Sequence, residues 1–387
     1  DAIPAEILQE MRELGLFGIT IPEEFGGAGM NISQYIETVK QLSYASPAYR
    51  STISINIGMT GSAIKNFGTP EQKAEWLPRI ASGEIACFGL TEPGSGSDSA
   101  AMQTSAVRDG NGYKLNGTKR YITNSPHAKI GLIMARTSKE ALPKNAHVSC
   151  FIVDMTTPGI TIGKPDKKMG QSGAHIADVI MEDVHIPGSA LVGGEEGRGF
   201  SIAMQSLDNG RLSVAGMSVG MGRRALDTAI RYATERKAFG EPIANFQLIQ
   251  AMLADMVVDM TSARGLVYQR EGQHQYAISD FDSVIDRNPY NAPPYIARGQ
   301  SLNAIGKYDS ALEDFTAALN VDNRTADAWA GRGFAQEKLG QRSEASQSYQ
   351  RALGLDGNNV NELTSQRLTD LGRGPVFYDC LVNVEKA

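Results

Sequence analysis

Cysteine is scarce. Cys87, Cys150 and Cys380 are the only three in 387 residues, they lie far apart, and no CxxC pair occurs. That argues against a disulfide framework and for a reduced, cytoplasmic protein. No stretch approaches the ~18 unbroken apolar residues of a membrane-spanning helix, which argues against an integral membrane protein. A block of one charge is missing too: 37 basic residues against 43 acidic give a net charge of −6 with no polybasic run. Nucleic acid and anionic membrane are therefore poor candidate partners. The 41 glycines follow no three-residue period, which excludes collagen. The opening Asp-Ala-Ile carries neither an initiator Met nor an apolar signal core, and reads as the start of a fragment.

What is present is enough apolar sequence, 41%, to bury sizeable cores in two or three domains. Residues 1–85 read as helical. Ile7, Leu8, Met11 and Leu14 share one helical face, Ser33 to Leu42 and Ala48 to Phe67 suggest two more helices, and Thr69 to Ile80 a fourth. In that last helix Thr69 is the N-cap, Pro70 fills the first turn and Gln72 takes the capping-box position. From Ala86 to about Val192 short β-rich runs are bounded by turn residues: Tyr113–Gly117, Lys129–Met134, Val148–Val153, Ile160–Ile162 and Ala177–Val184. Arg108–Gly112 reads as a hairpin turn, and so many short strands suggest a β-barrel or sandwich. Helical spacing returns over Phe200–Ala233, whose Gly, Ala, Ser and Met suit close helix packing, and from Asn245 past Met260.

A repeat follows. Ala277, Ala311 and Ala345 recur at intervals of 34 residues, as do Phe281, Phe315 and Tyr349, and Gly272, Gly306 and Gly340. This period, with aromatic, Leu-Gly and Ala-Phe positions in register, resembles nearly three tetratricopeptide repeats over about 263–357. The expected fold class is therefore α+β. A helical N-terminal portion (1–85) precedes a β-barrel-like middle (86–195) and a truncated helical portion (196–262). The repeats and an unassigned tail (358–387) complete the chain, with Asn361 to Leu371 the one candidate for a capping helix.

The first two thirds carry an ordered series of motifs: TEPGSGSD at Thr91–Asp98, NGTKRYITN at Asn116–Asn124, KMGQ at Lys168–Gln171, MEDV at Met181–Val184, DNGR at Asp208–Arg211 and ERKAFG at Glu235–Gly240. In this order the series resembles the acyl-CoA dehydrogenase family over roughly Ala5 to Met260. A Gly-Ser-rich turn alone would explain TEPGSGSD as well, but not five companions in sequence. A dinucleotide-binding reading of Gly94-x-Gly96 fails because no helix opens after it. The residues themselves suit a flavin: Gly94 and Gly96 let backbone N–H groups approach an anion or ring edge, Thr91 and Thr123 offer hydroxyls, and Tyr121 a flat surface.

The resemblance implies bound FAD lined by Phe88, Leu90, Thr91, Gly96, Ser97, Tyr121, Ile122 and Thr123. Arg236, Phe239 and Gln247 would reach the FAD of a neighbouring subunit in a homo-oligomer. It also implies an acyl-CoA substrate near Ser97, Asp208 and Arg211. Arg223 and Arg224 read as solvated charges. A metal is not implied. The catalytic base is unknown: the family's late Tyr-Glu-Gly-Thr context is absent, and the alternative Glu before the family's arginine is Gly210 here. Glu362 and Glu385 lack the motif. The repeats stand where the base-bearing helices would follow, so thioester oxidation is expected to be weak or nil. The competing expectation is an interaction scaffold whose repeats bind a peptide or protein. Ala263-Arg-Gly265 fits both families, recurring as Ala297-Arg-Gly299, so one helix is expected to end the first module and begin the second.

Overall fold

The computed structural model describes residues 3 to 355 and Arg367; Cys380, Glu362, Glu385 and all but one residue of the Asn361–Leu371 segment lie outside them. The chain divides into two compact units, 1–225 and 226–387.

In the first unit, α1 (Ala5–Glu13), α2 (Ile32–Ala45), α3 (Pro47–Ile53), α4 (Ser62–Phe67) and α5 (Pro70–Ala81) precede the sheet. The single helix expected over 48–67 is α3 and α4 joined by a π-helical stretch, Ser54–Gly61. Inter-element bonds accompany that widened turn. Asn56 Nδ2 donates to Glu84 O at 3.0 Å, its Oδ1 accepts the Ala86 amide, and Thr60 Oγ1 donates to Cys87 O at 3.0 Å. The capping box on α5 is present, and Gln72 does more than cap: its amide also binds Ser189 O, Leu191 O and the Gly193 N–H. All four bonding functions of this buried side chain are therefore satisfied.

Seven strands form one sheet: β1 (Ala86–Gly89), β2 (Ser105–Asp109), β3 (Gly112–Thr123), β4 (Ile130–Arg136), β5 (Val148–Asp154), β6 (Ile160–Ile162) and β7 (Ile176–Pro187). β2 and β3 make a hairpin with Asp109 paired to Gly112, which leaves Gly110 and Asn111 as its two-residue loop. β4 pairs along one edge first with β1 and then, at Arg136, with β2, and along the other with β5. Apolar residues of one face, among them Leu115, Ile133, Phe151 and Val179, are sealed into the core. Helix α6 (Gly199–Glu235) packs its small residues on α2: a Cβ on Gly216 would lie 3.0 Å from Ile36, and one on Gly220 only 2.2 Å from Lys40 O. Only glycine permits that approach.

The second unit begins within the last turns of α6, continues into a hairpin, β8 (Lys237–Ala238) and β9 (Glu241–Pro242), and then runs α7 (Gln247–Arg270) to α12 (Arg342–Leu355). Between them lie α8 (His274–Arg287), α9 (Ala292–Ala304), α10 (Tyr308–Val321) and α11 (Ala326–Lys338). Each helix pair turns on a glycine at positive φ, Gly272 (75°), Gly306 (78°) and Gly340 (79°). Within each pair a bare glycine meets an aromatic ring: Gly265 against Phe281, Gly299 against Phe315, Gly333 against Tyr349. Arg264–Asp280 and Arg298–Asp314 repeat one ion pair at 2.6 Å, whereas in the third copy Arg332 meets Ser348 at 3.2 Å. Adjacent repeats are stitched by Gln269 Nε2 to Ala297 O and Asn303 Nδ2 to Gly331 O; Glu337, 34 residues after Asn303, instead binds Arg367 at 3.0 Å.

Helix α7 runs without a break through Ala263-Arg-Gly265, so one helix serves both patterns. Its first half buries no residue; Leu248 and Met252 are exposed, and only Gly265 and Val267 are buried.

Candidate functional site

Two of the predicted segments meet at the end of β1. Phe88 lies in β1, and Leu90 and Thr91 follow it. Opposite them β3 contains a bulge: Lys119 pairs with Val179 and Ile122 with Ala177, so Arg120 and Tyr121 together face Asp178. The bulge takes the Arg120 amide out of the β7 ladder, and that N–H donates instead to Thr91 O at 2.8 Å. It also puts Tyr121 at φ 59° and turns its ring outward, 56% exposed, while Ile122 stays buried and Thr123 half-buried. A bulge re-aiming an aromatic beside a glycine loop is a common device at binding sites.

Beneath this surface lies a sealed ion pair. Lys119 Nζ is 2.7 Å from Glu92 Oε1 and also donates to Leu90 O at 3.2 Å. Glu92 in turn accepts the amides of Gln103 (2.6 Å) and Thr104 (3.0 Å). Burial pushes the Lys119 ammonium down to about 8, with Glu92 opposing. Burial pushes the Glu92 carboxyl up, but the Lys119 charge and the hydrogen bonds more than offset this and hold it below the ordinary carboxylate value. The pair anchors the start of the loop while the tip stands free.

That tip is a tight turn: Glu92 and Ser95 exchange both backbone bonds (2.9 and 3.2 Å), and Ser95 Oγ donates to Asp98 O at 2.7 Å. Gly94, Gly96 and Ser97 are exposed, and a Cβ on either glycine would meet nothing within 4 Å. Among the described residues the Gly96 and Ser97 amides donate to no protein acceptor. Open space at two glycines, unused N–H groups and an outward aromatic form a cradle that suits an anionic group joined to a flat ring, as FAD is. The residues present therefore fit that cofactor.

Asp208 and Arg211 lie on α6, both exposed, and bind each other at 2.6 Å; among the described residues no hydrogen bond joins either to Ser97. Arg223 and Arg224, read as solvated charges, both lie over the Tyr44 ring, and Arg224 Nη1 also donates to Tyr44 O at 3.0 Å. Arg236, Phe239 and Gln247 belong to the second unit. Ala238 pairs with Glu241, so Phe239 and Gly240 form the hairpin loop at φ 53° and 90°. Phe239 is fully exposed, an unusual place and backbone state for a large aromatic. The Arg236 guanidinium makes no hydrogen bond among the described residues, and Gln247 is exposed at the start of α7.

Sequence reasoning passed over Lys119, Glu92 and Asn124. The last ends β3 at φ 70° and sends its Nδ2 to Thr52 O and Ala86 O, 3.1 Å each, fixing Thr123 beside β1. Cys87 and Cys150 are buried free thiols, the former raised to about 12 by burial. Among the described residues no helix is long and apolar enough to cross a membrane, and no group of three or more His, Cys, Asp or Glu could hold a metal ion.

Comparison with known proteins gives three successive matches described as acyl-CoA dehydrogenase N-terminal, middle and C-terminal domains, at residues 1–84, 87–184 and 197–274. A tetratricopeptide repeat matches at 326–359. The chain is 40% identical over 267 residues to the human mitochondrial short-chain specific acyl-CoA dehydrogenase, covering 69% of this chain and 64% of that one. It is 37% identical over 281 residues to an acyl-CoA dehydrogenase of Bacillus subtilis, covering 72% and 73%. The structure of a glutaryl-CoA dehydrogenase from Mycobacterium smegmatis in complex with FADH2 superposes with a TM-score of 0.61 at 25% identity, covering 96% of this chain and 82% of that one. The chain thus spans a little under two thirds of the human relative's length.

Proposed function

The chain belongs to the acyl-CoA dehydrogenase family, and from that premise we propose that its first 262 residues form a flavoprotein module that holds FAD and an acyl-CoA but lacks the family's proton-abstracting carboxylate. FAD, when bound, supplies the two-electron acceptor for α,β-dehydrogenation of an acyl thioester. Gly96 and Ser97 would give their free amides to its anionic portion, and Thr91 and Thr123 their hydroxyls to the ring edge. Tyr121 would cover one ring face, with Phe88, Leu90 and Ile122 closing the apolar floor. Ser97, Asp208 and Arg211 would face the acyl-CoA. The observation that carries the reading is the bulge at Arg120–Tyr121, which joins two predicted cofactor segments through the Thr91 carbonyl.

Phe239, with Arg236 and Gln247, would complete the FAD site of a second copy of the chain. An exposed Phe in a strained turn and the uncovered first half of α7 support a homo-oligomer. The buried free thiols suit a reduced compartment such as the cytoplasm.

The test is the visible absorption spectrum of the purified protein, with the mass of the chromophore released on denaturation. FAD is expected. Anaerobic mixing with saturated acyl-CoAs of several chain lengths is expected to leave the flavin band nearly unbleached. A colourless protein that also fails to take up added FAD overturns the cofactor reading; rapid bleaching overturns the missing base.

One observation favours a second role for the repeats. Arg332 has no carboxylate partner among the described residues, because Ser348 stands where the two earlier repeats hold Asp280 and Asp314, and its guanidinium stacks on Trp329 at 4.1 Å. We propose that it receives an acidic group of a bound peptide. Loss of acidic-peptide binding in Arg332→Ala, with the melting temperature unchanged, is the expected result.

A further inference from the structure

Just past β3 the fold brings two imidazoles together. The Asn124 amide donates to His175 O at 2.9 Å, and the Asn124 carbonyl accepts the His127 amide at 2.9 Å. The Asn124 side chain is itself tied to Thr52 O and Ala86 O. The backbones of both histidines are thereby fixed to one buried residue. His127 Nε2 and His175 Nδ1 end 3.1 Å apart, with ring centroids at 5.3 Å and planes inclined by 30°. Both rings line a cavity of about 260 Å³ whose other walls include Ile3, Leu8 and Ile85.

Two facing ring nitrogens can be satisfied in two ways. They can share one proton, or they can donate both lone pairs to one cation. Nitrogens bound at about 2.0–2.1 Å to a common metal sit roughly 2.9 Å apart at a right angle and roughly 3.3 Å apart at the tetrahedral angle. The observed 3.1 Å lies between these limits. Lys168, on the loop before His175, is held away by the carbonyls of Gln171 (2.9 Å) and Ala174.

We propose that His127 and His175 together ligate one divalent transition-metal ion, of the Zn²⁺, Ni²⁺ or Cu²⁺ class, at the edge of this cavity. Imidazole suits those ions, whereas Mg²⁺ and Ca²⁺ demand oxygen. No third His, Cys, Asp or Glu joins the pair among the described residues, so the remaining coordination positions fall to water or to a small ligand in the cavity. The site is thus open, and it does not depend on the flavin reading: it can be assayed on the chain with or without FAD.

The experiment is isothermal titration of the chelator-treated full chain with ZnCl₂ and NiCl₂, with MgCl₂ as control. Wild type, His127→Ala, His175→Ala and His185→Ala are compared; the last histidine lies elsewhere, 2.7 Å from Asp109. One ion per chain is expected, with affinity falling at least about tenfold in either of the first two variants and unchanged in the third. Both rings reach solvent, so metal-free melting temperatures should match and separate ligation from folding. No binding of Zn²⁺ or Ni²⁺, or binding that survives in His127→Ala and His175→Ala, overturns the proposal.

Discussion

The backbone N–H of Arg120 donates to the carbonyl of Thr91 across 2.8 Å, and this one bond sets the candidate site. It exists because β3 carries two residues where β7 carries one. A straight β3 would return that amide to the ladder, turn Tyr121 to the other face and leave the glycine loop without its lateral support.

The first prediction concerns the sealed pair below that bond. Glu92→Gln leaves an ammonium buried among neutral groups and is expected to lower stability by about 3–5 kcal/mol. The pH dependence has a definite sign. Because Glu92 is held below its ordinary value in the folded chain, the unfolded chain takes up its proton first. Its contribution is therefore complete above the ordinary carboxylate range and is lost as pH falls through the lower, folded value. Lys119, pushed to about 8 from 10.5, gives the other limb: the cost of holding its proton is relieved as pH rises through that window. Urea denaturation of wild type and Glu92→Gln between pH 7 and the acid limb checks this, and the gap between the two curves should narrow toward acid.

A second prediction separates ligand from scaffold at Gly96. Nothing lies within 4 Å of a Cβ built there, so Gly96→Val should leave the melting temperature of the cofactor-free chain within about 1 °C. The same branched side chain would fill the space proposed for the cofactor, so FAD content on purification should fall at least about tenfold. Equal loss of stability and of flavin would show that the glycine serves the fold.

How much of this could be read from sequence depended on range. Thr69 and Gln72 announced a helix start because a capping box is a four-residue event, and the Gly–aromatic pairs of the repeats announced themselves by period. Gly110–Asn111 declared a hairpin for the same local reason. The bulge at Arg120–Tyr121 is invisible locally, since it is defined by register against Asp178, far along the chain. The Lys119–Glu92 pair was hidden likewise: a lysine in a strand and a glutamate in a loop look solvated until the fold seals both. The π-helical stretch at Ser54–Gly61 holds two glycines, an asparagine and a threonine, weak helix formers that do not by themselves announce a widened turn; what marks it is how Asn56 and Thr60 bond to β1.

A third prediction tests the close approach in the repeats. An added methyl at Gly331 would lie 2.4 Å from Phe315 Cζ, inside any real contact, so Gly331→Ala should cost about 1–3 kcal/mol. At Gly354, near the end of α12, nothing lies within 4 Å, and the same change should be neutral or stabilising by about 0.5 kcal/mol. Thermal melts of the two variants should therefore move in opposite directions or differ clearly in size. Equal shifts would mean that helix propensity, not the ring, governs both positions.

The last prediction asks whether a carboxylate placed at residue 210 can supply the base that the proposed function lacks. Gly210 precedes Arg211 on α6, and a Cβ there would meet Met59 Sδ at 3.9 Å, an ordinary contact, so a side chain enters without displacing the helix packing. Gly210→Glu places an acid at the position that the resemblance assigns to the base in one branch of the family. A carboxylate within reach of the substrate's α proton typically contributes ~10²–10⁴-fold to such a step. If FAD and acyl-CoA bind as proposed, anaerobic bleaching of the flavin band should become measurable in Gly210→Glu. It should stay near the wild-type rate in Gly210→Gln, which has the same shape and cannot accept the proton. Bleaching in both would indicate a base already present elsewhere. Bleaching in neither, with FAD and acyl-CoA bound, would mean that residue 210 does not face the thioester's α carbon.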